Sequence, residues 1–452
     1  MKTSIRITPI LWILVLLLHA SLDAQGLRPV GQPLPGMQGM PVMAQTIAFF
    51  SADTAAATIH LQFRIPRTFF TFLRQAGEDF RARGEIVAEL FSDKGIVVGR
   101  EFRPIVISQS QGPVSSSAQD VIGALTFKAQ PGSYTVSFEV RDLQSERRHF
   151  DRAIAVRIPP RTQVIQSSAP LLIESIVRPV DGGASALVPL NYGGALPFGA
   201  RASFAVQTVV PDSSAAIDVR WELKGKPLES TRDELSLTGS AWTELPGIPE
   251  LHESPGESVM YHVKPSPPRF RLLLITFPSE TVEPGLYTWS AVIRAGDDST
   301  RVEIPCPVVW NDRPMSLGRM DIAIEALRHI ATEAEMDELK SLSSSKSAGA
   351  FRAFWQKRSP DSSQSFNPVM TEYYRRVDEA IQRFSSTRES DGYKTDQGRI
   401  FILNGSPSVT DRKLHPDGRQ TETWTYIRLK KRFVFELNDG TGMFTLTSMD
   451  QW

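Results

Sequence analysis

Cysteine is nearly absent. Cys306 is the only one in 452 residues, which excludes an internal disulfide and any site built from thiolates alone. It lies in the strand-like run Val302 to Val309, where a buried, inert thiol is expected. Charge imbalance is absent as well. Lys plus Arg and Asp plus Glu are 50 each, so net charge favours neither nucleic acid nor an anionic surface. The seven histidines are scattered, none at a metal-ligand spacing, and His-Glu-any-any-His is missing. There is no Gly-any-Ser-any-Gly elbow, no Walker loop and no dinucleotide fingerprint. No calcium-loop ligands follow Asn438-Asp439-Gly440, which reads as a plain hairpin turn. No cofactor, no metal and no nucleic-acid partner are expected.

Long apolar runs are missing beyond the extreme N-terminus. There, Lys2 and Arg6 precede the uninterrupted run Ile10 to Leu18, and small residues span Ala20 to Ala24. This pattern predicts a secretory signal peptide at 1–24, too short for a transmembrane helix. No cysteine follows it, so a lipoprotein-type anchor is excluded. The mature chain is expected to lack a transmembrane segment and to be periplasmic or extracellular. Residues 25–45, rich in Gly, Pro and Met, read as a flexible leader.

What is present is mostly β pattern. A chain of this length suggests about three domains. Thr58 to Ile65 alternates apolar and polar positions, as a half-buried strand does. Glu85 to Phe91 alternates likewise, and Ser92-Asp93-Lys94-Gly95 turns the chain into Ile96-Val97-Val98. Ser108 to Ser117 reads as a loop. Pro131-Gly132-Ser133-Tyr134-Thr135 opens a strand with Val136, Phe138 and Val140 on one side. Pro284-Gly285-Leu286-Tyr287-Thr288 repeats that corner. In both copies the tyrosine ring is expected to be buried and its hydroxyl to find a backbone partner, as in the tyrosine corner of immunoglobulin-type sandwiches. Two tandem all-β immunoglobulin-like sandwiches are predicted, at 46–160 and 168–310.

After Pro314 the period turns helical. Asp321 is placed to cap a helix carrying Ala323, Ile324, Leu327 and Ile330. Thr332-Glu333-Ala334-Glu335 is a capping-box pattern. Ser341 to Ser347 reads as a polar loop. Phe351, Phe354 and Trp355 stand at helical spacing, and Asn367-Pro368 starts a further helix with Tyr373, Val377, Ile381 and Phe384 on one face. Four short helices then lead to Gly392-Tyr393-Lys394-Thr395-Asp396-Gln397-Gly398-Arg399, which reads as a turn with two permissive glycines. Ile400 to Leu403 reads as a buried strand, stopped at Gly405-Ser406-Pro407. The domain 316–452 is thus expected to be α+β, short helices followed by an antiparallel sheet of about four strands.

The stretch from Gly392 resembles the signature of the GWxTD-domain family of secreted bacterial proteins. Gly392, Thr395, Asp396, Gly398, Arg399 and Gly405 match it, and Tyr393 stands where the family has Trp. The resemblance runs roughly from Met320 to the C-terminus. It takes in Ala323 to Arg328, Phe354-Trp355-Gln356-Lys357-Arg358-Ser359-Pro360 and Glu372-Tyr373-Tyr374-Arg375-Arg376. It implies architecture and export, and no assigned activity.

The candidate site joins Gly392, Tyr393, Thr395, Asp396, Gly398 and Arg399 to Arg358, Arg375, Arg376, Lys394, Tyr374, Trp424 and Tyr426. Arginine with aromatic rings suits peptide, glycan or protein recognition. The plainer expectation is that Asp396 pairs with an arginine to fix the turn while the rings fill a core. No catalytic residue is assigned, because no partner base or nucleophile is in view for Asp396. The expected function is a non-enzymatic binding or assembly protein of the bacterial cell envelope, with a protein or envelope partner. The alternatives are an envelope hydrolase using Asp396 and its arginines, and a carbohydrate-binding module using Trp424, Tyr426 or Tyr393.

Overall fold

Residues 42–75, 79–109, 120–179, 183–228, 234–253, 259–386, 391–438 and 442–452 are described by the computed structural model of the chain. The expected signal peptide at 1–24, the expected leader up to 41, most of the expected Ser108 to Ser117 loop and the tip of the expected turn after Asn438 lie outside the described residues. The chain divides into two units, Met1–Val309 and Trp310–Trp452. Among the described residues the first is mostly β, with several mostly antiparallel sheets and short 3-10 turns. The second is helical over 320–404 and ends in an antiparallel four-stranded sheet.

Among the described residues the first unit contains four sheets. Strands Met43–Phe50, Ala57–Ile65 and Val121–Ala129 form a three-stranded sheet, beginning just before the expected boundary at Thr46. A five-stranded sheet contains the long strands Phe80–Ser92, Val97–Gln109, Gly132–Asp142 and Arg148–Ile158. Ile59, Leu61, Phe63 and Ile65 from the first meet Ile86, Ala88, Leu90, Val136, Phe138 and Val140 from the second in one core. An eight-stranded and a six-stranded sheet enclose another core, built on Phe204, Val206, Trp221, Leu273 and Trp289. Cys306 is fully buried there, and burial pushes its thiol pKa up to about 12.

Both predicted corner hydrogen bonds form, but the ring is buried as expected only at Tyr287, while Tyr134 is half-buried. The Tyr134 hydroxyl donates to the Gln130 carbonyl at 2.9 Å and that of Tyr287 to the Glu283 carbonyl at 3.0 Å. Each ties the start of a long strand to the turn before it.

The strand Ala57–Ile65 corrects its sequence reading. It is covered on both faces, not one. His60 is 3% exposed and Gln62 is fully buried. A third core explains this, where Ile47, Phe49 and Ala124 of the three-stranded sheet pack against Leu171, Leu187, Tyr261, Leu272 and Leu274 of the eight-stranded one. Most polar groups between these layers are paired, as burial demands, Asn191 Oδ1 being the exception. Gln62 Nε2 donates to the Tyr261 hydroxyl at 2.7 Å. The Gln207 amide bonds both the N–H and the carbonyl of Phe50, at 2.6 and 3.0 Å. Asn191 Nδ2 donates to the Phe63 carbonyl at 3.0 Å. The alternation was real, but its polar side faces another layer.

In the second unit the helices are α1 Met320–Ala326, α2 Glu333–Ser341, α3 Ser344–Gln356, α4 Pro368–Phe384 and α5 Asp396–Asn404. Thr332 and Glu335 form the capping box that starts α2. Asn367 Oδ1 accepts from the amides of Val369 and Met370, which starts α4, while its Nδ2 donates to the Trp355 carbonyl. Two starts differ from the sequence reading. Arg319, not Asp321, occupies the cap position of α1, with no side-chain cap bond. The Ser341 to Ser347 stretch is not a loop throughout, because α3 already begins at Ser344.

The largest correction concerns Ile400 to Leu403. This stretch is the body of α5, not a strand. The first strand of the sheet is instead Val409–Leu414, followed by Gln420–Tyr426, Lys431–Asn438 and Met443–Gln451 in consecutive antiparallel order. A short apolar run does not distinguish a buried strand from a buried helix turn. What decides here is the start signal, Thr395 at the cap with Asp396 in the first turn.

Candidate functional site

The signature residues build a helix start. Gly392–Lys394 is one turn of 3-10 helix that leads directly into α5. Thr395 Oγ1 accepts from the Gly398 amide at 3.0 Å and donates to the Gly392 carbonyl at 2.8 Å. Asp396 Oδ2 accepts from the Leu446 amide at 2.9 Å. Leu446 belongs to the strand at the edge of the sheet, beside an irregularity in its pairing with Lys431–Asn438. The other oxygen, Oδ1, faces Arg399 at 3.3 Å. Asp396 therefore joins the start of α5 to the last strand.

The two glycines serve close approach, and not the unusual backbone angles expected of them. Neither has a positive φ. A Cβ on Gly398 would lie 2.0 Å from the Gly392 carbonyl oxygen, and one on Gly392 would lie 2.4 Å from the Ala380 carbonyl oxygen. Helix α5 thus sits directly on the 3-10 turn, and that turn on the end of α4.

The aromatic members lie inside. Tyr393 is 3%, Trp424 1% and Tyr426 3% exposed, so their rings offer no face for stacking on a sugar. Tyr374 is fully buried and donates to the Ala323 carbonyl at 2.6 Å, while Tyr373 donates to that of Ala326 at 2.6 Å. Tyr426 donates to the Gly405 carbonyl at 2.8 Å. Burial raises the phenol pKa of all four above its ordinary value. His329 faces the same region, with Nε2 2.9 Å from the Tyr393 carbonyl, and burial lowers its pKa.

The cations disperse to carboxylates close by each of them. Arg358 lies on the Phe354 ring at 3.6 Å and reaches Glu335 at 2.8 Å. Arg375 and Arg376 share Glu372, each at 2.7 Å, and Arg376 also donates to the Ile402 carbonyl at the end of α5. The hydrogen bonds from Arg375, with those from Arg376 and against the cost of burial, hold the Glu372 carboxyl down to about 2. Lys394 pairs with Asp391 at 2.6 Å. Arg376 and Tyr426 meet around Gly405, while Arg358 belongs to the junction of α2 and α3. These cations form local ion pairs along the helices.

Sequence reading missed one central residue. Glu422 is 3% exposed and accepts from Trp424 Nε1 at 2.6 Å, from Gln397 Nε2 at 3.2 Å and from Arg412 Nε. Its signal was available: Glu422, Trp424 and Tyr426 alternate, which puts an acid on the apolar face of a strand. Among the described residues no group of three His, Cys, Asp or Glu is placed to hold a metal ion. Two open depressions, of about 590 and 520 Å³, are lined around Trp221 in the first unit and involve no signature residue.

The second unit is thus a small α+β domain whose signature turn fastens a helix to the turn before it and to an edge strand. Residues 293–449 match the family model of the GWxTD domain, and the chain carries that domain. The match begins at Ile293, earlier than the expected Met320, and reaches back into strand Gly285–Ala295. No curated protein matches the chain.

Proposed function

We propose that the chain is an exported, non-enzymatic binding or assembly protein of the bacterial cell envelope. The observation that carries this reading is the engagement of the signature. Thr395 is a cap, Asp396 holds the Leu446 amide and Arg399, and the nearby arginines are paired with carboxylates. A catalytic carboxylate needs a reacting group within hydrogen-bond reach and a place for substrate beside it. Asp396 has structural partners at both oxygens instead. In this reading the paired sheets of the first unit are two immunoglobulin-like sandwiches, supported by the two tyrosine corners, and the partner is a protein or another envelope component.

The test combines a hydrolase substrate panel with capture from envelope extracts. The full chain is expected to show no turnover, and to retain a partner that the chain shortened to 1–309 does not. Turnover by the wild type that disappears in Asp396→Ala would overturn the reading.

A further inference from the structure

We infer that His252, His262 and Met260 form a copper-binding site on one face of the antiparallel strand pair Ile248–His252 and Met260–Lys264. The register sets His252 opposite Met260 and Glu250 opposite His262. Alternate residues Leu251, Tyr261 and Val263 pack into the core between the layers. His252, Met260 and His262 therefore share the other face. They are outside the core on that side of the eight-stranded sheet. His252 is exposed, and Met260 and His262 are half-buried.

The two imidazole rings lie with centroids 4.6 Å apart, tilted by 43°. His60, His329 and His415 each have a hydrogen-bond partner, whereas among the described residues neither ring of this pair has one. Two ring nitrogens, each about 2.0–2.1 Å from one ion, hold their rings at a separation of this order. Across from His262 on its other side stands Ala186, whose small side chain leaves room.

The third donor decides the metal. Glu250, the carboxylate nearest by register, is paired with Lys264. Met260 stands directly across from His252, where Cβ atoms are about 4.5–5.5 Å apart. Two imidazoles and a thioether, without a carboxylate, are a soft set that selects copper, Cu(I) above all. The chain's one thiol does not compete, since Cys306 is sealed in a core.

The experiment titrates the full, untagged chain with Cu(I) under reducing conditions against a competing chelator, with Zn(II) in parallel. One Cu(I) per chain is expected, held more tightly than Zn(II). His252→Ala and His262→Ala are each expected to weaken Cu(I) by at least about tenfold. Met260→Leu is expected to weaken Cu(I) and leave Zn(II) unchanged. An unchanged thermal midpoint in each variant shows that the fold persists. Copper binding that survives the double histidine variant, the absence of stoichiometric copper, or tighter binding of Zn(II) would each overturn the assignment.

Discussion

Thr395 and Asp396 act at opposite sides of one helix start. The Thr395 hydroxyl closes the first turn of α5 and holds the preceding 3-10 turn. Thr395→Ala should lower the unfolding free energy of the second unit by about 1–2 kcal/mol, and Thr395→Ser by much less, as urea titration checks. His60 has a different sensitivity. It lies between layers against Phe49, Thr126 and Tyr261, and burial lowers its pKa from 6.5 to about 4. The folded state therefore keeps the ring neutral while the unfolded chain takes up a proton below pH 6.5. Stability is unaffected above that pH and falls between about 6.5 and 4, by up to ~1.4 kcal/mol per unit. Urea unfolding of the wild type and of His60→Leu should diverge across that window. Parallel curves would contradict it.

At the scale of elements, caps were legible and the α5 run was not. Thr332-Glu333-Ala334-Glu335 and Asn367-Pro368 announce helix starts because the side chains that satisfy the free amides are local in sequence. Ile400, Phe401 and Ile402 are all buried, so their run carries no period to separate helix from strand. Thr395-Asp396 was a cap signal read as a turn. The glycines supply a sharp contrast. Gly398→Ala puts a Cβ 2.0 Å from a carbonyl oxygen and should cost about 3 kcal/mol or more. Gly349→Ala, on an open face of α3 with nothing within 4 Å, should stabilise by up to about 1 kcal/mol. Thermal unfolding of the two variants, followed by near-ultraviolet circular dichroism, reads both.

At the scale of the whole molecule, the paired layers of the first unit were foreshadowed by the Pro-Gly-any-Tyr-Thr repeat. Their fusion was not. Nothing local to Thr58 to Ile65 says that Gln62 meets Tyr261, nearly two hundred positions away. The same holds for His252 and His262, whose meeting depends on strand register. Gln62→Leu alone should cost about 1–3 kcal/mol by leaving the Tyr261 hydroxyl unpaired, and adding Tyr261→Phe should recover part of that loss. A double-mutant cycle in urea measures the coupling. In the second unit the signature was found from sequence, and its partners Leu446, Glu372 and Glu422 were not, because only the fold brings them near. The account rests on Asp396 holding the edge strand in place. Amide hydrogen exchange at Leu446 tests this most directly, comparing wild type with Asp396→Ala. Exchange is predicted to quicken by about tenfold or more, equivalent to ~1.4 kcal/mol. Unchanged protection at that amide, with an enzymatic turnover lost in the same variant, would contradict it.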